Sequence, residues 1–362
     1  MKIDPHPGDG PRFARQFARL SGLVLTGALV LMAALSLFLV IGGQPRGAGA
    51  TDKAAMTTLS VRLIERFERG SEQTRFGALE FRRGLEVTSA NPLFGGLSGL
   101  VVAPDRLSFV GVMDTGAWFS GRFSRDDEGL LSGFAISRIE PMRDENGRKI
   151  DTKRLVDAEG MDRFQDGLAV GFERDHRIEW RAGNAPWQVQ TPHRLDYLIP
   201  PHELRRNKGM ETVAASTVEG PLAGALVVVT EMSINAAGDL FAAVLAGPRK
   251  GVFFVRREAP WSVTDGKFLP DGDLLLLERR FDIANGVGMR LRRIPVAMIR
   301  PNATVDGPVL MEAGHANEID NMEGLAVIGS DNGYTDIIVV SDDNHSMLQR
   351  TLFLEFRLPD AD

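Results

Sequence analysis

One pattern recurs five times in this chain and restricts its fold more than any other feature. An acidic or hydroxyl residue, usually followed by glycine, leads into an apolar residue. A turn comes next, and a second, apolar strand closes on an acid. The copies open at Ser98-Gly99-Leu100, Glu159-Gly160-Met161, Glu211-Thr212-Val213, Asp265-Gly266 and Glu323-Gly324-Leu325. They close on Asp114, Glu173, Glu231, Glu278 and Asp342. The closing acids lie roughly 47 to 64 residues apart, against the ~40–50 residues of a four-stranded propeller blade, which leaves room for loop insertions.

Further strand patterns fill each interval, among them Trp118 to Phe123, Arg177 to Arg181, Gly251 to Arg256 and Met289 to Ile294. Long helical periodicity is missing after residue 59. A parallel α/β sheet would need a helix between successive strands. The expectation is therefore an all-β fold, a β-propeller of five or six blades spanning residues 59–358. Leu59 to Ser89 supplies either a sixth blade or the strands that close the ring onto the last one. Closure removes sheet edges that would otherwise pair with other chains.

The N-terminus reads differently. Lys2, Arg12, Arg15 and Arg19 precede an uncharged stretch from Leu20 to Ile41. At roughly 22 residues it is long enough to span a bilayer as a helix. Basic residues on its N-terminal side place the remainder of the chain across the membrane. Ala48-Gly49-Ala50 has the small-x-small form of a cleavage site, so residues 1–50 are either a signal peptide or an uncleaved signal anchor. An exported protein follows, periplasmic, tethered to the inner membrane or released from it. The chain has no cysteine, which removes disulfides and thiolate chemistry. Its net charge of −6 argues against nucleic acid, whose binders carry a basic excess.

At this point the residues resemble the phytase-like family, "esterase-like activity of phytase". The resemblance is carried by Leu97-Ser98-Gly99-Leu100, by Asp157-Ala158-Glu159-Gly160-Met161 and by Phe268 to Arg279. It continues in Asp320-Asn321-Met322-Glu323-Gly324-Leu325-Ala326, Ser341-Asp342-Asp343-Asn344, Gln349-Arg350-Thr351 and the final strand. It covers roughly residues 79–358, and the order and number of the pieces make it specific. Glu211-Thr212-Val213 departs from the expected Glu-Gly-Leu. The resemblance implies a bacterial envelope protein with a propeller-like domain and an activity on phosphate esters or other esters.

The residues themselves support such chemistry in outline. Acids at equivalent points of successive blades converge on one end of the central axis. The candidates for holding a metal are Asp114, Glu159, Glu211, Glu278, Glu323, Asp342 and Asp343. Carboxylates crowded in this way need a cation or bases to neutralise them, and hard ions such as Ca²⁺ prefer oxygen ligands. Catalytic candidates are Glu159, Glu323 and Asp342. Arg279, Arg350, Lys267 and Lys208 are candidates for holding a phosphate. His315 and His345 flank the last repeat and can meet in space. The four tryptophans, near strand ends, are expected to pack between blades. No Gly-x-Ser-x-Gly elbow, Walker loop or Arg-His-Gly run is present, so serine-nucleophile, nucleotide-loop and histidine-phosphatase mechanisms are set aside. Two functions remain. One is a cation-assisted hydrolase acting on a small phosphorylated or other ester substrate; the other is a non-catalytic envelope propeller that binds a ligand or protein.

Overall fold

A computed structural model describes residues 59–189, 191–282 and 286–360 of the chain. The expected signal or anchor at residues 1–50 lies outside them. No helix among the described residues is long and apolar enough to cross a membrane.

The chain opens with β1 (Leu59–Ile64), β2 (Arg75–Phe76) and β3 (Leu79–Ser89). Four antiparallel meanders follow. Blade 1 contains β4 (Leu97–Val102), β5 (Ser108–Met113), β6 (Ala117–Arg125) and β7 (Leu131–Pro141). A short helix, α1 (Lys153–Val156), leads into blade 2, with β8 (Ala158–Phe164), β9 (Gly167–Phe172), β10 (Arg177–Ala182) and β11 (His193–Leu195). Blade 3 has β12 (Met210–Ala215), β13 (Leu226–Ile234), β14 (Leu240–Val244) and β15 (Gly251–Val255). Blade 4 has β16 (Ser262–Phe268), β17 (Leu274–Asp282), β18 (Gly286–Ile294) and, beyond β19 (Thr304–Val305), β20 (Val309–Ala313). The strand β19 instead lies parallel to β15 at the rim of blade 3.

The last sheet decides the blade number. Here β21 (Met322–Asp331), β22 (Tyr334–Ser341) and β23 (Thr351–Pro359) are completed by β3 from the other end of the chain, which pairs antiparallel with β23 from Thr351↔Val87 to Arg357↔Glu80. The propeller therefore has five blades, and the N-terminal strands close the ring instead of building a sixth. The innermost strands β4, β8, β12, β16 and β21 each lie against the next, and β21 returns to β4. Arg125 of blade 1 reinforces the closure by donating to both oxygens of Glu355 on β23, at 2.6 and 3.0 Å.

Each blade buries both faces, which explains its uninterrupted apolar runs. Successive side chains in a strand point to opposite faces. Leu274 and Leu276 accordingly pack with Val227 and Val229 of blade 3. Leu275 and Leu277 pack with Ile337 and Val339 of blade 5. Ile338 and Val340 then face blade 1, against Leu97, Leu100 and Phe109. Two further clusters join blades 1 and 2 and blades 2 and 3, around Trp118 with Phe172 and around Ile178 with Val213. The hydrophobic core is thus a set of wedges between blades. Trp118 belongs to one of them, with Arg181 over its ring, and Trp261 carries Arg280 and Arg290 over its ring.

The recurrent glycine has a packing reason. A Cβ on Gly160 would stand 2.1 Å from the Glu211 carbonyl oxygen of the neighbouring blade. One on Gly324 would stand 3.0 Å from the Ser98 carbonyl oxygen. Innermost strands approach most closely here, and a side chain would hold them apart.

Candidate functional site at the mouth of the ring

Every innermost strand carries a register irregularity at the same level. The pairing shifts between Leu97 and Gly99, Ala158 and Met161, Met210 and Thr212, Val263 and Asp265, and Met322 and Gly324. A bulge re-aims the residue it contains. The re-aimed residues are Ser98, Glu159, Glu211, Thr264 and Glu323, one from each blade. The second strand of each blade reaches the same level, ending there in blades 1, 2 and 5 and running on in blades 3 and 4. The residues following Met113, Phe172, Thr230, Glu278 and Ser341, the partners of that level, are Asp114, Glu173, Glu231, Arg279 and Asp342.

Blade 4 therefore departs from the sequence alignment by one residue. Its member of the inner set is Thr264, and its closing position holds Arg279, a base among acids. Glu278 is not at the mouth. It is buried between Arg290 Nε and Arg292 Nη2, both at 2.5 Å. Asp265, read from sequence as the opening acid, is buried in an ion pair with Lys267 at 3.0 Å and accepts Leu325 N–H at 2.8 Å. Lys267 belongs to the far end of β16, opposite Leu275, so it does not join the carboxylates. Arg350 is also committed elsewhere: it meets Glu318 at 2.5 Å and donates to the Ile319 carbonyl at 2.8 Å.

The remaining candidates do converge. Glu159 feels Asp157, Glu173, Glu323 and Asp114; Glu211 feels Glu159, Glu231, Glu173 and Glu323; Asp342 feels Glu323, Asp114 and Asp343. Burial and then this mutual repulsion push all of them up. Glu159 and Glu211 rise well above the usual carboxyl range, and Asp342 reaches about 8. Glu173 is raised to about 7 by burial, partly offset by a hydrogen bond from Gly209 N–H at 2.8 Å. Glu323 also reaches about 7, through burial that Arg279 opposes. Asp343 is tied down differently, accepting from Gly96 N–H at 3.2 Å and Thr351 Oγ1 at 2.9 Å.

Bases meet only part of this charge. Lys153 bridges Asp114 and Asp157 at 2.6 and 2.7 Å, and Arg174 also donates to Asp157. Lys208 meets Glu231 at 2.9 Å, and Arg279 meets Glu323 at 2.6 Å. Glu159 makes no hydrogen bond or ion pair among the described residues. Together with Asp157 and Glu173 it offers one carboxylate oxygen to a group whose atoms all lie within 4.8 Å of one another. That all-oxygen donor set fits a hard divalent cation, whose ligands stand ~2.3–2.6 Å from the ion. Asp157 and Glu173 are not among the ligands that the sequence singles out. The repeat flags Glu173 only as a closing acid, and Asp157 stands in the motif around Glu159.

His315 uses its carbonyl to accept from Arg69, while His345 lies against Gly95 beside Asp343.

Comparison with known proteins agrees with the motif reading. The family model described as phytase-like, esterase-like activity of phytase, matches residues 92–345. The chain belongs to this family. A search of curated proteins by sequence finds no match. Among solved structures, the phytase-like chain is similar to the PQQ-bound aldose sugar dehydrogenase of Streptomyces coelicolor, at 12% identity, 83% coverage of this chain, 98% of that one and a TM-score of 0.43. A putative oxidoreductase (glucose dehydrogenase) from Thermus thermophilus gives 13%, 82%, 100% and 0.34, and the WD40 domain of Toxoplasma gondii coronin gives 8%, 85%, 88% and 0.32. At such identities and scores these likenesses carry nothing about ligand or chemistry.

Proposed function

We propose that this phytase-like protein hydrolyses phosphate or other esters at the mouth of the ring, with a divalent cation such as Ca²⁺ held by Asp157, Glu159 and Glu173. The observation that carries the reading is Glu159. It is half-buried among four acids, has no base of its own among the described residues and stands within reach of two further carboxylate donors. When bound, such a cation polarises a phosphoryl or carbonyl oxygen and acidifies water.

The chain's own residues then divide the work. Arg279, the one base in the ring of closing positions, orients an anionic oxygen of the substrate with its guanidinium. Glu323 exchanges its proton near neutrality, at about 7, and suits the base that takes a proton from attacking water. Asp342 keeps its proton to about 8 and suits the acid that protonates the leaving oxygen. The charge balance favours this arrangement, because a substrate phosphate meets the cation on blade 2 and a guanidinium on blade 4.

The test is turnover of p-nitrophenyl phosphate and p-nitrophenyl acetate by the full-length protein, in chelator and with Ca²⁺ or Mg²⁺ restored. Cation-dependent release of nitrophenol, lost in Glu159→Gln, is expected. No hydrolysis of either ester under any cation overturns the enzymatic reading. If Ca²⁺ still binds in that case, the other function considered, a propeller that binds without turnover, takes its place. The proposed setting is the periplasmic face of the inner membrane, anchored or released through residues 1–50. Fractionation that leaves the chain in the cytosol refutes that setting.

A further inference from the structure

The mouth is not evenly acidic, and the side that carries Arg279 opens into a second space. A cavity of about 300 Å³ lies at the boundary of blades 3 and 4, lined by Lys208, Glu231, Arg279, Arg280, Phe281 and Asn321 among others. That is the lower end of the volume range typical of small-molecule sites. Two of its walls belong to the mouth itself. Arg279 is paired with Glu323, and the charge of Glu231 acts on Glu211 and Glu323. The acids in the wall are already answered: Glu231 by Lys208 at 2.9 Å, and Asp320 by Arg350 at 3.5 Å. Arg280 lies over the Trp261 ring and meets Asp282 at 3.0 Å. Lys208 and Arg279 thus line one space, each beside a carboxylate with which it pairs, and Phe281 stands at its edge with 74% of its surface exposed.

An aromatic ring left so exposed beside cations gains free energy when a flat apolar group covers it. A phosphate that enters here exchanges with the carboxylates Glu231 and Glu323 for the same charge-assisted bonds to Lys208 and Arg279. We propose that this cavity takes the carbon portion of the substrate, and that the preferred substrate class is a phosphate ester of an aromatic or similarly flat apolar alcohol. Its phosphate lies between Arg279 and Lys208, and its ring lies on Phe281. The inference rests on the hydrolase reading for the site's purpose, but it is tested by binding alone.

The probes are phenylphosphonate and methylphosphonate, whose carbon–phosphorus bonds do not hydrolyse. Each is titrated by calorimetry into the full-length protein with Ca²⁺ present. Phenylphosphonate is expected to bind about tenfold more tightly, the ratio equivalent to about 1.4 kcal/mol. Phe281→Ser is expected to abolish that preference and leave methylphosphonate affinity unchanged. The position is exposed, so the variant should fold, and its thermal melt verifies this. Arg279→Gln is expected to weaken both ligands. Equal affinity for the two ligands, a preference that survives Phe281→Ser, or no binding of either while Ca²⁺ binds overturns the proposal. Failure of the hydrolase reading shows separately, as absent turnover of nitrophenyl esters with phenylphosphonate binding intact.

Discussion

Raising the pH above neutrality in the absence of divalent cations should destabilise the propeller, and Asp342 supplies the clearest part of the effect. Burial and the neighbouring Glu323, Asp114 and Asp343 hold its folded pKa at about 8, against an ordinary value of 3.8 in an unfolded chain. The folded state therefore binds this proton more tightly. Its contribution is full below the unfolded pKa and is lost as pH rises through about 8. At about 1.4 kcal/mol per pH unit, tapering near the pKa, Asp342 alone removes roughly 1.5 kcal/mol between about pH 6.5 and 8. Glu173 and Glu323, at about 7, act in the same direction. Glu159 and Glu211, pushed well above the usual range by burial and their neighbours, add to the same fall. His176, held neutral by burial, has the opposite sign but is complete above its ordinary value of 6.5, while Glu179 and Glu318, held low by arginine partners against burial, are ionised throughout. A loss of roughly 1.5 kcal/mol corresponds to about 2–3 °C in a domain of about 300 residues, whose unfolding entropy is ~2.1 cal/mol/K per residue. Thermal unfolding in chelator should show that fall, with a shallower slope for Asp342→Asn. Adding Ca²⁺ at about a hundred times its dissociation constant should restore about 2.7 kcal/mol at the higher pH. A melting temperature that stays level or rises from about pH 6.5 to 8 in chelator refutes the reasoning, as does an unchanged slope in Asp342→Asn.

Three further outcomes follow from the packing. Glu278→Ala leaves Arg290 and Arg292 buried without their shared carboxylate, and urea melts should show a loss of about 3–5 kcal/mol. A loss below about 1 kcal/mol would mean that water reaches the pair. Gly160→Ala places a methyl 2.1 Å from a backbone carbonyl, an overpacking expected to cost about 1–3 kcal/mol and to weaken Ca²⁺ binding, both readable by calorimetry. Deleting residues 59–89 strips β3 from β23; light scattering should then detect aggregation through the bared edge, and a stable monomer would contradict closure by these strands.

Legibility differs sharply between fold and site. The apolar run Leu274 to Leu277 announces a strand buried on both faces, and five such runs at blade-like spacing announce a ring. The mouth is partly legible for the same reason, since Glu159, Glu211, Glu323 and Asp342 recur at matching points of the repeat. Blade 4 misleads. Asp265-Gly266 imitates the motif, but strand pairing places Thr264 and Arg279 at the functional level. A shift of one residue turns every side chain to the other face, and only the cross-strand register reveals it. Lys267 and Arg350 are plausible phosphate partners until the fold supplies each with carboxylates of its own.

Repeated antiparallel sheets are written into the chain directly, because a meander is made by neighbours along the sequence and its turns and alternation are local. Three things become fixed only once the ring is assembled: that five blades close through β3, that Asp157, Glu159 and Glu173 share one spot, and that an arginine breaks the acidic ring. Those facts depend on which distant strands touch. The proton affinities at the mouth depend on the same meeting, since a carboxyl is pushed upward only when other blades bring their charge against it and exclude water.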